Sequence, residues 1–249
     1  MAAPYSRLAP GYDAVMAHVD YHGWALHVRD LLDRHAPETR TAVEIGCGTG
    51  SLALELDRVA DLQIRGLDAS PAMVAEAQRK AALAGADVPF AVGRFDAPIP
   101  GPLADAVLLV YDGLNYLLGK DDVRALFRHV AAALVPGGVF LFDQSTPANS
   151  LNNRDAFDDE GETDAFAYVR SGHYDEATRL HTTTFRLTAD GRTEEEAHVQ
   201  RAYTYAEIGG LLAASPLAPE AAYDGFSTDP ATAESERIHW VARVPEAGA

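Results

Sequence analysis

A glycine-rich segment lies between a short apolar run and a helix-forming stretch, and its residue types suit ligand binding. In VEIGCGTGSL (43–52), Gly46, Gly48 and Gly50 alternate with single residues, and Glu44 stands two positions before the first glycine. A glycine-rich turn between a strand and a helix brings backbone N–H groups and the helix N-terminus close to a bound ligand. The segment therefore predicts a binding turn.

Glycine spacing and charge favour one ligand over another. Dinucleotide turns are usually spaced G-x-G-x-x-G, whereas here the spacing is G-x-G-x-G, with Ser51 where the last glycine would stand. A carboxylate at Glu44 suits an ammonium group better than a pyrophosphate. S-adenosylmethionine carries both an ammonium and a sulfonium, so the turn favours this cofactor over a nicotinamide dinucleotide.

Two further acidic residues follow the next predicted strands. Asp68 comes 22 residues after Gly46 and is placed to accept hydrogen bonds from the ribose hydroxyls of either cofactor. Asp96, in VGRFDAPIP, suits the adenine amino group, with Phe95 and Met73 as apolar ring contacts, and a solvated loop acid is an equal alternative. Arg94 stands two residues before Asp96, and the loop DAPIPGPLAD carries three prolines, so the alternative is that the adenine edge is held differently.

Hydrophobic periodicity predicts the elements that position these residues. Apolar residues at helical spacing predict one or two N-terminal helices between Tyr12 and His35. Five strands then alternate with helices, which predicts a parallel doubly wound sheet. The strands are 41–46, 62–68, 88–93, 104–111 and 139–143, and the helices are 51–60, 70–85 with Ser70 as N-cap, and 121–138, which ends at Pro136-Gly137.

The pattern changes after Gln144. Three strands at 164–175, 178–191 and 194–205, with short turns at Asp175-Glu176 and Asp190-Gly191, predict an antiparallel insertion. A helix and two last strands end the chain. The expected fold is α/β, a mostly parallel seven-stranded sheet with helices on both faces plus the insertion. One domain is expected, with a helical cap (1–37), a cofactor-binding core (38–146), the insertion (160–203) and a last helix and strand pair (204–249).

Composition excludes several classes of protein. The formal net charge is −17, and no concentrated basic face is evident, so nucleic acid is not an expected partner. The single cysteine, Cys47, rules out an internal disulfide framework, and without a secretory leader or a membrane-spanning run the expected location is the cytoplasm. His173, His181 and His198 lack the spacing of a dedicated metal site, so no metal is expected.

Five segments together resemble the successive motifs of class I S-adenosylmethionine-dependent methyltransferases. They are VEIGCGTGSLALEL, GLDASPAMVAEAQRKA, VGRFDAPIP, ADAVLLVYDGLNYL and LVPGGVFLFD, and they span 41–143. The flanking segments YSRLAPGYDAVMAHVDYHGWALHV and EAHVQRAYTYAEI are similar to a small bacterial group, the YqeM-like methyltransferases.

The resemblance implies S-adenosylmethionine as cofactor and a set of contacts for it. Glu44, Gly46 and Gly48 would hold the methionine end, Asp68 the ribose and Asp96 the adenine. Tyr111 would lie near the sulfonium, and an N-terminal helix would close over the pocket. The remaining expected contacts are Tyr12, Tyr21, Trp24, Cys47, Ala69, Met73 and Phe95. Core packing is the alternative for the Tyr21–Trp24 pair, and Cys47, which has no basic neighbour in the sequence, is expected to fill space, not to react.

Catalysis requires alignment and exclusion of water more than a strong base, because the sulfonium is already an activated donor. Asp112, Asn115 and Tyr116 follow the fourth strand, where they could offer a carboxylate, an amide and a phenol to a small polar acceptor, although Asn115 could equally cap the following helix. Strand alternation puts Glu196, His198 and Gln200 on one face. If that face covers the pocket, His198 is the candidate base and Glu196 orients it, whereas a solvent-facing polar strand is the alternative.

The predicted function is methyl transfer to an amine, hydroxyl or carboxylate of a small molecule by in-line displacement. A non-catalytic cofactor-binding module and an NAD(P)-linked oxidoreductase are the alternatives. The predicted assembly is a monomer or a homodimer, with no membrane partner.

Overall fold

A seven-stranded sheet forms the centre of the computed structural model, which describes residues 5–153 and 158–246. The strand order is β3-β2-β1-β4-β5-β11-β10. All neighbouring strands are parallel except β11, which is antiparallel to both β5 and β10. The strands are β1 Thr41–Ile45, β2 Gln63–Asp68, β3 Phe90–Val92, β4 Ala104–Leu109, β5 Leu134–Ser145, β10 Ala218–Asp224 and β11 Arg237–Arg243.

Helices cover both faces of this sheet, as predicted. Along β4, Val107 and Leu109 face a cluster with the fifth and seventh helices, while Ala106 and Leu108 face one with the second, third and fourth. Burial on both faces explains why these central strands are almost entirely apolar. The helices are α1 Tyr12–Val15, α2 Tyr21–His35, α3 Ser51–Val59, α4 Pro71–Ala84, α5 Lys120–Ala133, α6 Pro147–Asn152 and α7 Tyr205–Ala213.

The insertion after β5 is a separate antiparallel sheet of four strands, where three were predicted. Its order is β6-β7-β8-β9, with β6 Asp159–Glu162, β7 Ala167–Asp175, β8 Leu180–Ala189 and β9 Arg192–Arg201. A third apolar cluster joins this sheet to the N-terminal segment before α2. Its buried members are Leu8, Val15, Met16, Phe166, Phe185 and Leu187.

Local chemistry explains where the elements begin and end. The N-terminal run divides into two helices, and the Asp20 side chain begins the second by accepting a hydrogen bond of 2.9 Å from Gly23 N. Helix α5 ends at Ala133, so the prediction that it reaches Pro136-Gly137 was wrong. Proline lacks an N–H group and restricts the residue before it to extended backbone, and β5 therefore begins at Leu134. Residues 1–4 and 247–249 of the predicted end segments lie outside the described residues.

Candidate active site

A cavity of about 270 Å³ opens at the carboxyl ends of β1, β2, β3 and β4, beneath the N-terminal segment. In open parallel sheets, ligands bind at this edge. All thirteen residues expected to contact the cofactor lie on its wall, although their individual roles stay predictions. Ten further residues line it: Tyr5, Thr49, Ser51, Leu52, Ser70, Arg94, Val110, Gly113, Tyr116 and Leu117.

The glycine turn after β1 requires glycine for its backbone shape. Gly46, Gly48 and Gly50 have φ angles of +71°, +55° and +75°, a region that side chains other than glycine rarely adopt. A Cβ atom at Gly50 would also stand 2.6 Å from the Phe90 ring. At Gly48 nothing lies within 4 Å of the Cβ position, so the turn leaves open space on the cavity side.

Glu44 places a buried carboxylate at the floor of the cavity. The residue is 4% exposed, and its Oε2 atom has no hydrogen-bond partner. Burial and the nearby charge of Asp68 raise the pKa of Glu44 to about 8. A buried acceptor without a partner is costly unless a ligand satisfies it. The atom therefore fits a cationic group such as the ammonium of S-adenosylmethionine.

Asp68 lies at the end of β2 and is held by two backbone N–H groups. Gly48 N donates to one carboxylate oxygen at 2.9 Å, and Ser70 N donates to the other at 2.8 Å. Burial raises the pKa of Asp68, and the two hydrogen bonds oppose that rise. Each oxygen keeps a free lone pair, so the fixed carboxylate can still accept from a pair of hydroxyls.

Asp96 is on the cavity wall but is paired with Arg94, which also lines the cavity. Arg94 Nε donates to Asp96 Oδ1 at 2.7 Å, and the guanidinium makes a second contact with Oδ2. This hydrogen-bonded contact with Arg94 lowers the pKa of Asp96, against the effect of burial. Both oxygens of Asp96 thus already accept a hydrogen bond from Arg94, and an adenine amino group here would donate to a carboxylate that is paired with a guanidinium.

Five tyrosines line the cavity, and Tyr5 contacts two of the others, Tyr12 and Tyr116. The Tyr5 ring lies 5.6 Å from that of Tyr12 and 6.0 Å from that of Tyr116, and the hydroxyls of Tyr5 and Tyr116 are in direct contact. Burial raises the pKa of each of these phenols, and it raises that of Tyr111 to about 12. The phenols are therefore neutral near pH 7. Tyr5 was not predicted as a site residue.

The turn after β4 holds its backbone in a strained shape. Tyr111 and Asp112 have φ angles of +62° and +64°, although neither is glycine. Arg237, at the start of β11, donates to Asp112 Oδ1 at 2.7 Å and also contacts the buried carboxylate of Asp143. Asp112 N donates to Asp143 Oδ1 at 3.1 Å. This arrangement aims Tyr111 into the cavity and keeps Asp112 off its wall, bound to Arg237.

Asn115 is likewise outside the cavity wall, and its side chain is used by the backbone. Its amide nitrogen donates to the carbonyls of Ser145 and Arg201 at 2.8 Å each, and its oxygen accepts from Ser145 N at 3.0 Å. Nothing here corresponds to helix capping. The amide instead ties the turn after β4 to the ends of β5 and β9.

His198 stands one layer behind the cavity wall, on the face of β9 that packs against the tyrosines. Its Nδ1 atom is 3.4 Å from Tyr116 Oη, and its ring centre is 4.1 Å from that of Tyr5. Its Nε2 atom lies 3.3 Å from Glu196 Oε1. Strand alternation thus brings His198 and Glu196 to the core side, and His198 reaches the cavity through Tyr116 without lining it.

Helix α1 is fastened to the glycine turn through Asp13. The Thr49 hydroxyl donates to Asp13 Oδ1 at 2.6 Å, and Lys80 of α4 contacts Asp13 Oδ2 while donating to Ser51 Oγ at 2.6 Å. We call these four residues the Asp13 contact. It holds the N-terminal segment over the cavity.

Cys47 packs in the glycine turn as a buried free thiol, and burial raises its pKa, which disfavours the reactive thiolate. Within residues 5–153 and 158–246, no three His, Cys, Asp or Glu side chains are grouped so that they could hold a metal ion. Over the same ranges, no helix has the length and apolar character needed to cross a membrane.

Comparison with known proteins finds a domain match and a full-length relative. Residues 42–138 match the model of a methyltransferase domain. The chain is 26% identical to the "Putative methyltransferase YqeM" of Bacillus subtilis (strain 168), over 96% of both chains.

Two solved structures share the fold. One is an S-adenosylmethionine-dependent methyltransferase from Clostridium acetobutylicum ATCC 824, with a TM-score of 0.78, 22% identity, and coverage of 97% of this chain and 99% of that one. The other is the SAM-bound amino pentose methyltransferase CalS10 from Micromonospora echinaspora, with a TM-score of 0.70, 22% identity, and coverage of 94% and 96%. Residues 42–138 therefore form a methyltransferase domain, and the chain as a whole has the fold of solved S-adenosylmethionine-dependent methyltransferases.

Proposed function

We propose that the cavity binds S-adenosylmethionine between Glu44 and Asp68 and directs methyl transfer to a small molecule. The observation that carries this proposal is that Glu44 lines the cavity beside the glycine turn and that its buried Oε2 atom has no hydrogen-bond partner. It suits the ammonium of the methionine end, while the fixed carboxylate of Asp68 suits the ribose hydroxyls. Met73 and Phe95 would contact the adenine ring.

The chain's own residues align the acceptor and exclude water. When bound, the cofactor supplies a methyl group on a positively charged sulfur, which any aligned lone pair can accept. The strained turn aims Tyr111 into the cavity, and the Asp13 contact holds the N-terminal segment over it. A pocket with seven aromatic side chains on its wall, covered by the N-terminal segment, keeps water from competing for the methyl group.

The size of the cavity supports a small acceptor. Tyr5, Tyr12 and Tyr21 cover it from the N-terminal side, which leaves room for a compact molecule instead of a folded partner. CalS10, which has the same fold, is named as an amino pentose methyltransferase. Asp112 and Asn115 are off the wall, so we assign them to positioning the turn after β4 and not to contact with the acceptor.

Mass spectrometry of gently purified protein tests the cofactor. We expect S-adenosylmethionine or its demethylated product, and calorimetry should show binding of S-adenosylmethionine but not of NAD. Recovery of a nicotinamide nucleotide would overturn the proposal. For the non-catalytic alternative, the decisive reading is turnover: failure to form demethylated product with a broad panel of amines, phenols and carboxylates would favour a binding module.

A further inference from the structure

The wall of the cavity has acidic groups but no unpaired cation. Glu44, Asp68 and Asp96 carry carboxylates, and Arg94, the basic residue among those that line the described cavity, is already paired with Asp96. A carboxylate or phosphate acceptor taken from water would need a cationic partner. The lack of an unpaired cation on the described wall therefore disfavours an anionic acceptor.

The tyrosine end of the cavity suits an ammonium group through its rings and hydroxyls. Tyr5, Tyr12, Tyr111 and Tyr116 present ring surfaces and hydroxyls that stay neutral near pH 7. A cationic nitrogen is attracted to the face of an aromatic ring, and a phenol oxygen accepts hydrogen bonds from N–H groups. The same oxygen can pass on a proton when a second acceptor lies behind it.

His198 provides that second acceptor. Its Nε2 atom faces the Glu196 carboxylate, which favours a hydrogen on Nε2 and leaves Nδ1, 3.4 Å from Tyr116 Oη, free to accept. The titratable groups facing the imidazole are Tyr5 from the N-terminal segment, Tyr116 from the turn after β4 and Glu196 from its own strand. From β8 it meets the Phe185 ring. Arg7 N fixes the other Glu196 oxygen at 3.1 Å.

We infer that the methyl acceptor is a small amine and that Tyr116 and His198 remove its proton. The inference rests on the proposed methyl transfer. The bound ammonium gives one proton to Tyr116 Oη while that hydroxyl passes its own to His198 Nδ1. The freed lone pair then forms the N–C bond as the S–C bond breaks, and the electron pair of that bond stays on sulfur. The methylated ammonium leaves, and His198 releases its proton to water.

A matched set of probes tests the acceptor class by calorimetry. The wild-type protein is first titrated with S-adenosylhomocysteine, and absence of that binding would count against the proposed function itself. The loaded protein is then titrated with cyclohexylamine, cyclohexanol and cyclohexanecarboxylate at pH 7.5. We expect the amine to bind at least about tenfold more tightly than the other two. Equal or weaker amine binding, including no binding of any probe, overturns the inference.

The NMR signal of the His198 imidazole tests the proton transfer without requiring turnover. The signal is assigned by its loss in His198→Gln. On adding cyclohexylamine to the loaded protein at pH 7.5, we expect it to shift, because the amine engages the Tyr116 hydroxyl that lies 3.4 Å from His198 Nδ1. The exposed His173 on β7 is the control, and its signal should not move.

Tyr116→Phe removes the hydroxyl and keeps the ring. If Tyr116 carries the proton, the His198 shift disappears in this variant, while affinity for S-adenosylhomocysteine changes less than about twofold. A His198 signal that ignores the amine, or that responds equally in Tyr116→Phe, overturns this route for the proton.

Discussion

The carboxylates of Glu44 and Asp68 line the cavity beside the glycine turn, and they differ in how many hydrogen bonds the protein donates to them. Asp68 accepts two backbone hydrogen bonds, whereas one oxygen of Glu44 has no partner. The charge of Asp68 also raises the pKa of Glu44. Glu44 is therefore the side chain whose protonation a bound cation should change most.

Cofactor binding should release a proton from Glu44. With a pKa of about 8, this carboxyl is mostly protonated at pH 7 when the cavity is empty, and a bound ammonium favours the ionised form. Binding should thus release nearly one proton at pH 7, and affinity should rise from pH 6 towards pH 8. Calorimetry in phosphate and Tris buffers measures the release. Glu44→Gln should abolish it, and identical release by this variant would exclude Glu44 as the source.

Removal of the Asp68 carboxylate should weaken cofactor binding through lost buried hydrogen bonds. For Asp68→Ala we expect a loss of about 1–3 kcal/mol in binding free energy, measured by calorimetry. Asp61→Asn, at an exposed position after α3, is the matched control and should bind like the wild type. Unchanged affinity in Asp68→Ala would remove Asp68 from the site.

At the scale of elements, the cavity depends on α1 lying across the glycine turn. This four-residue helix is too short to be stable by itself, so its position comes from the Asp13 contact and from the apolar cluster beneath it. We expect the cofactor to enter and leave past this segment. The strength of the contact should therefore appear in the rate of release.

Asp13→Asn should speed release of the cofactor. The change removes the charge that Thr49 and Lys80 bind, and we expect a cost of about 1 kcal/mol, which corresponds to roughly fivefold faster dissociation in stopped-flow experiments. Asp30→Asn, on the exposed side of α2, serves as the control. If both variants release cofactor at the wild-type rate, α1 does not limit its exit.

At the scale of the whole molecule, the N-terminal segment joins the large sheet to the small one. Leu8, Val15 and Met16 pack against Phe166, Phe185 and Leu187, while Tyr5 and Tyr12 in the same segment line the cavity. The wall of the site is therefore built partly on contacts with the insertion. Packing between the sheets and shape of the cavity should change together.

Phe185→Ala should test this connection. Loss of the buried ring is expected to lower the free energy of unfolding by about 3–5 kcal/mol in urea and to weaken amine binding at the tyrosine end. Leu83→Ala on α4, where the side chain is 75% exposed, should change stability by less than about 0.5 kcal/mol. If Phe185→Ala is destabilised but binds ligands like the wild type, packing against the insertion does not determine the shape of the cavity.

The fold and the residues that line the glycine-turn end of the cavity could be predicted because their signals are local. The apolar strands, the glycine turn and Asp68 can each be recognised from a few consecutive residues. The parallel pairing of the strands then brings their carboxyl ends to one edge of the sheet. The tyrosine end depends on partners far apart in sequence. Tyr5 meets Tyr116 across 111 positions and Arg237 meets Asp112 across 125, so no spacing rule reveals either pair. The sequence does show that Arg237 is a cation at the start of an apolar strand. It does not show which carboxylate pairs with it, because Asp112 comes near only in the folded chain.

The left-handed backbone at Tyr111 and Asp112 has a consequence for protein engineering. Glycine adopts this conformation without steric cost, so Tyr111→Gly would relieve backbone strain of about 1 kcal/mol or more while deleting a ring from the cavity. At this turn, a substitution that raises stability would also remove a side chain from the proposed binding site. We expect selection for heat tolerance alone to favour glycine at position 111, and the selected variants to bind ligands in the cavity less tightly.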